Sequence, residues 1–192
     1  MRHRLLPTVL AAALALAACS SRTAPDRTNF AKALSPALGR ACVTVDPHGL
    51  GAYPTSRSTF LGTFASRPRF NALVSAGLLV HKAPDVYALS AAGTRALQSS
   101  QGTAFCAARY KLDRVIDWTK PHSNFLYEGA TTSEVTYTYS PTAIAPWARS
   151  AAITRAFPSL RQKLSPKHKA QATLVLKNDG WRVDSLGIFS GL

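Results

Sequence analysis

Acidic residues are scarce in this chain: nine Asp and Glu stand against 23 Lys and Arg, a formal charge of +14 over 192 residues. A balance this basic points to nucleic acid, an anionic membrane or another polyanion as surroundings, but it informs on association rather than on a site. Runs of charge are missing too, since the basic residues are scattered singly. That excludes a dedicated polybasic tail. Enzyme signatures are absent: no GxSxG elbow, no HExxH and no glycine-rich phosphate loop occurs. Cysteine is limited to Cys19, Cys42 and Cys106, with no CxxC or Cys-His spacing suited to a metal. No apolar stretch after residue 18 approaches the roughly 20 residues that span a bilayer.

One apolar stretch remains, and it lies at the start. Met1-Arg2-His3-Arg4 precedes Leu5 through Ala18, a segment rich in Ala and Leu that ends in small residues. A basic start, a short apolar run and a small-residue end describe a secretory signal peptide. The run is too short for a retained spanning helix, and Pro7 sits near its start. Its two arginines are not adjacent, which argues against a twin-arginine signal.

Leu16-Ala17-Ala18-Cys19 resembles the lipobox of bacterial lipoproteins. The resemblance implies removal of residues 1–18 and lipid on the Cys19 thiol, hence a protein anchored to a membrane rather than spanning it. Ser20 follows, with no Asp. By likeness to the Gram-negative sorting pattern this implies the outer membrane, facing the periplasm, with the inner membrane as the alternative. Residues 19–28, polar and carrying Pro25, read as a tether. With Cys19 set aside, Cys42 and Cys106 remain. In an oxidising compartment a disulfide is the expected fate, with two buried free thiols or a metal site as alternatives.

Residues 29–100 carry helical spacing at Phe30, Ala33, Leu34, Ala37 and Leu38, interrupted by Pro36, where a kink or division is expected. A strand at 42–46, a short helix at 59–65 and a second helix from Arg67 to Gly77 follow. Two strands, 78–81 and 86–89, flank Ala83-Pro84-Asp85, and Ser90 caps a helix over 91–97. Ala76-Gly77-Leu78-Leu79 and Leu89-Ser90-Ala91-Ala92-Gly93 resemble the winged-helix fold. That likeness implies a helical unit with a two-stranded wing, and in cytoplasmic relatives a helix in the DNA major groove, with Arg67 and Arg69 as phosphate contacts. A secretory leader removes DNA from reach, so no nucleic acid is expected and a structural or protein-binding use is favoured.

Residues 101–192 change character. Phe105–Trp118 and 134–139 alternate as strands, and a helix is expected over 145–156. Asn178-Asp179-Gly180 marks a hairpin turn between 169–177 and 181–183. The expected fold class is therefore α+β: a winged-helix-like part, then a small antiparallel sheet with one packed helix. Residues 105–182 also resemble small proteobacterial envelope lipoproteins and, more distantly, CpmK-type proteins of carbapenem clusters, which implies a non-enzymatic accessory role.

Candidate chemistry is thin. Asp46-Pro47-His48 and His122 offer imidazoles in loops, and His168 lies between Lys167 and Lys169 as a surface residue. Tyr137, Tyr139 and Trp147 are candidates for a binding surface, although core packing is the usual fate of such rings. The expected function is a membrane-anchored envelope lipoprotein acting as a non-enzymatic binding or accessory module. The membrane, through Cys19, and an envelope protein or anionic polymer would be its partners, with no cofactor and no metal. A hydrolase with an unrecognised His/carboxylate site is the alternative.

Overall fold

The strand pattern of Phe105–Trp118 builds the centre of the molecule. The computed structural model describes residues 21–46, 53–56, 59–61, 66–98 and 104–188. Within it β6 (Phe105–Trp118) pairs antiparallel with β8 (Thr131–Thr142), from Arg109 opposite Thr142 to Trp118 opposite Val135. Register shifts between Leu112 and Arg114 and between Val115 and Asp117 interrupt that ladder. Such bulges increase local twist and bend the strand, which here curls the sheet into a half-barrel. β9 (His168–Lys177) continues it on one side and β10 (Gly180–Leu186) forms its edge; β1 (Cys42–Val45) closes the other, and short β7 (His122–Ser123) pairs with β8. Gly180 takes φ +121°, a region that L side chains rarely adopt, so the turn into β10 needs glycine.

Helix α1 (Arg27–Arg40) packs on β6 and β10, burying Phe30, Leu34 and Leu38, one face at four-residue spacing. Phe30 meets Trp118 and Trp181 edge-on, with ring centroids 5.5 and 5.0 Å apart. Each such side chain contributes about 1.5–3 kcal/mol on burial, so this stripe is what seats the helix. The helix starts at an Asp26 cap, whose carboxylate accepts from the Asn29 N–H at 2.8 Å. It also runs through Pro36 without division. Among the described residues no helix is long and apolar enough to cross a membrane.

A winged-helix N-terminal part, one half of the expected α+β class, is overturned. The fold is dominated by the curled antiparallel sheet. Residues 59–65 do not form the expected helix at their start: β3 (Thr59–Leu61) is a strand, joined by β2 (Tyr53–Ser56). β3 pairs with β5 (Val86–Leu89), which pairs with β4 (Leu79–Ala83), so the supposed wing is half of a four-stranded sheet ordered β2-β3-β5-β4. Three residues such as Thr-Phe-Leu satisfy a helical or an extended pattern equally, and strand pairing decides between them. The first helix packs on the large sheet, and β1 joins that sheet beside β6. The "small" antiparallel sheet is thus six-stranded because it takes a strand from the N-terminal part.

Two other expected helices do form, α2 (Arg67–Ser75) and α3 (Ala91–Gln98). Gly93 of α3 has a packing reason: a Cβ there would stand 2.0 Å from the Leu78 carbonyl oxygen. The expected helix over 145–156 divides into a 3-10 turn at Pro146–Arg149 and α4 (Ala151–Ala156), followed by α5 (Pro158–Lys163). Cys42 and Cys106 form a disulfide, with sulfurs 2.12 Å apart, that links β1 to β6 across 64 residues of chain.

Candidate binding groove between α1 and β10

Residues 21–26 are not a free spacer. Asn29 is 6% exposed, and its Nδ2 donates to the carbonyls of Ser21 (2.9 Å) and Ala24 (3.0 Å). The Trp181 indole Nε1 donates to the carbonyls of Thr23 (3.1 Å) and Ala24 (3.2 Å). A Cβ on Gly180 would sit 3.0 Å from the Arg22 carbonyl oxygen, so the segment presses against the β9–β10 turn. Two buried donors therefore fix the chain where it enters the domain, since a buried N–H left without an acceptor is costly.

Beside this segment, α1 and β10 enclose a groove of about 760 Å³. Asn29, Lys32, Ala33, Pro36, Ala37 and Arg40 line it from α1, positions that share one helix face by three- and four-residue spacing. Arg22 enters from the pinned segment, and Asp179, Arg182 and Asp184 from the hairpin. Both acids are engaged. Asp179 forms an ion pair with Arg182, which holds its carboxyl below the usual value, with Arg22 adding a smaller effect. Asp184 accepts from the Tyr127 hydroxyl at 3.0 Å, and that hydrogen bond raises the Tyr127 pKa. Lys32 and Arg40 are exposed, eight residues apart on the helix, and no acidic group reaches either among the described residues. The rise of the helix sets them about 12 Å apart along its axis. Chemically, the groove can hold an anion between cations that have no internal counter-charge.

A smaller recess of about 320 Å³ shares Arg182 and Asp184 with the groove and is lined also by Leu126, Tyr127, Glu128 and Lys177. Leu126 lines it, and Phe125 precedes Leu126 in the chain; the two are 74% and 86% exposed. They sit in a 3-10 turn that is closely tied: the Asn124 side chain accepts from Leu126 N–H at 3.0 Å, and Gly129 N–H donates to the Asn124 carbonyl at 3.0 Å. A third cavity, about 540 Å³, lies between α2 and the β4–β5 hairpin and brings together Arg67, Asn71, His81, Asp85 and Tyr87. There Arg67 grips Asp85 through two hydrogen bonds of 2.7 Å, lowering the Asp85 pKa, and the Tyr87 hydroxyl donates to Asn71 at 3.2 Å.

The aromatic residues expected at a binding surface are not brought together on one. Tyr137 and Tyr139 are 0% and 2% exposed, on the same face of β8 as Val135, with Val115 opposite Tyr137. Tyr139 packs on Tyr110 and on the His168 ring. Burial raises the Tyr137 hydroxyl pKa, and among the described residues that hydroxyl finds no hydrogen-bond partner. Trp147 is half-buried, edge-on to Phe105 at 6.5 Å. Alternation identifies a face but not what covers it, which is why two core rings resemble two surface rings in sequence.

Cys19 and His48 lie outside the described residues. His122 is exposed, with Nδ1 3.4 Å from the Lys120 carbonyl. His168 is half-buried rather than a plain surface residue, and its Nε2 stands 3.3 Å from Ser165 Oγ. That hydroxyl donates to the Gln162 carbonyl at 2.7 Å, so its proton is committed to the turn. No group of three His, Cys, Asp or Glu residues able to hold a metal occurs among the described residues. Sequence reasoning missed the groove: Lys32 and Arg40 show a face-sharing spacing, but nothing local joins them to Trp181 or Arg182. Compared with models of protein families, with curated proteins and with solved structures, the chain matches none, so its function rests on its own groups.

Proposed function

We propose that the protein is an envelope lipoprotein, anchored by lipid on Cys19 and facing the periplasm, most simply from the outer membrane. Its folded domain acts as a non-enzymatic binding module for an anionic component of the envelope, held in the α1–β10 groove. Leu16-Ala17-Ala18-Cys19 and the leader before it support the anchor. One observation carries the binding role: Lys32 and Arg40 line a groove whose two acids are already engaged. Cations without internal partners attract an external anion, most strongly at low ionic strength.

Fractionation tests the anchor, and envelope binding tests the groove. The wild-type chain should pellet with membranes and take up labelled palmitate, and Cys19→Ala should do neither. Unchanged partitioning of that variant would remove the anchor. Separately, Lys32→Glu with Arg40→Glu should weaken retention of the unlipidated domain on isolated envelopes. Equal retention would remove the groove.

A hydrolase is the second reading, favoured by the cavity in which His81 and Asp85 both stand. It ranks lower because the Asp85 carboxylate is held by Arg67 rather than by an imidazole. Turnover of simple esters or amides that disappears in both His81→Ala and Asp85→Asn would reverse that order.

A further inference from the structure

We propose that the side of the domain built from the β9–β10 turn, α1, β10 and the Phe125–Leu126 turn lies directly against an anionic lipid bilayer, with lipid phosphates in the α1–β10 groove. This rests on lipidation of Cys19 and names the partner of the same groove.

Slack in the chain is the first argument. The Ser21 carbonyl accepts from Asn29 Nδ2 and from the Ala24 N–H, both at 2.9 Å, so the backbone is fixed to the domain from Ser21 onward. Only Ser20 separates that point from Cys19. Two Cα steps reach at most about 7.6 Å, so a lipid on Cys19 holds the domain at the membrane surface by the side that carries Ser21. That side includes Gly180 and Trp181, which touch residues 22–24. A protein held by a long tether could turn any face to the bilayer; this one cannot.

Charge is the second. Arg22, Lys32, Arg40 and Arg182 line the groove, whereas in the adjoining recess Lys177 and Arg182 are balanced by Glu128 and Asp184, so the excess of positive charge lies in the groove. Among the described residues the acids lining the groove are Asp179, paired with Arg182, and Asp184, which accepts from the Tyr127 hydroxyl, so four cations face two carboxylates. Cations near an anionic surface each raise partition roughly fivefold, an effect that salt weakens.

Exposed apolar surface is the third. Phe125 and Leu126 project from a closely hydrogen-bonded turn, and the Tyr127 hydroxyl ties that turn to Asp184 of β10. Two adjacent large apolar side chains, held rigid in water beside a recess in which Lys177 and Arg182 stand with Glu128 and Asp184, suit insertion at the headgroup–acyl boundary. An acidic extended peptide adding to the β10 edge would use the same cations, but the position of the anchor gives no reason for it.

The test uses the mature chain carrying Cys19→Ala, so that no lipid contributes, and sedimentation with vesicles of phosphatidylcholine alone or with three parts in ten of phosphatidylglycerol. Binding to the anionic vesicles, weakened by salt, is the expected result. Lys32→Glu with Arg40→Glu should lower it at least tenfold, and Phe125→Ser with Leu126→Ser should lower it several-fold. All four positions are exposed, and unchanged circular dichroism and thermal melting of each variant would confirm folding. Absent binding, equal binding to neutral vesicles, or indifference to the Lys32 and Arg40 changes would overturn the proposal. So would binding to polyglutamate in preference to vesicles. Failure of palmitate labelling would instead strike the anchor alone, because these vesicle measurements do not use it.

Discussion

Trp181 and Thr23, 158 residues apart, are joined by a hydrogen bond in which the indole Nε1 donates to the Thr23 carbonyl at 3.1 Å. The bond closes the first described residues onto the edge strand of the sheet, and with Asn29 it decides how the domain hangs from whatever precedes it. Trp181→Phe keeps most of the ring packing against Phe30 and removes the donor. A loss of about 1 kcal/mol is expected, read by urea denaturation, with faster trypsin cleavage after Arg22. Asn29→Ala, which removes a buried amide with several bonds, should cost about 1–3 kcal/mol.

The Tyr137 hydroxyl is buried without a partner among the described residues, so its removal is predicted to do little harm. Tyr137→Phe should be neutral or stabilising by up to about 1 kcal/mol, because the folded state no longer desolvates an unpaired hydroxyl. Leu34→Ala, in the fully buried stripe of α1, should cost about 2–5 kcal/mol. A large loss from Tyr137→Phe in the same denaturation series would mean that the hydroxyl has a partner.

Opening the Cys42–Cys106 bond should cost up to about 4 kcal/mol, the chain-entropy figure for a closed loop of 64 residues. Thermal melts with and without reductant, or of Cys42→Ser with Cys106→Ser, measure this directly. β1 should lose amide protection first, since it reaches the sheet only through β6.

Acid should weaken the α2–hairpin junction through Asp85. Its pKa lies below 3.8 in the folded protein because of Arg67, so the pair stabilises the fold above the unfolded-state value near pH 4. That stabilisation disappears as pH falls through the lower folded value. Asp85→Asn should therefore flatten the stability curve below about pH 4, with little change at pH 7 beyond a small constant offset. A curve identical to wild type through that range would count against the pair.

Legibility in the sequence followed the range of the forces involved. β6 reads correctly from Phe105 to Trp118 because alternation is local, and Asn178-Asp179-Gly180 fixes the last hairpin for the same reason. Cys42 and Cys106 became the expected pair only once the lipobox resemblance had set Cys19 aside. The sheets were not legible: whether Thr59-Phe60-Leu61 extends depends on β5, and whether β1 belongs to the first or second half depends on β6. The Leu-Ser-x-x-Gly run at 89–93 resembled the start of the helix that follows the wing of a winged-helix fold, yet its glycine answers to a close approach by Leu78 that another fold also supplies. For Tyr137 and Tyr139 core and surface stayed open in the sequence because period-two spacing carries no information on what lies above a face. The groove is the same problem at larger scale, since Lys32 and Trp181 meet only after the sheet has curled around α1.

Mass spectrometry of the N-terminal peptide of the protein purified from membranes decides whether Cys19 is its lipidated first residue. The mature protein should begin at Cys19 and carry lipid-sized additions on that residue, with Ser20-Ser21-Arg22 following unmodified. A chain that still begins at Met1, or a Cys19 thiol that alkylates freely, would contradict that assignment.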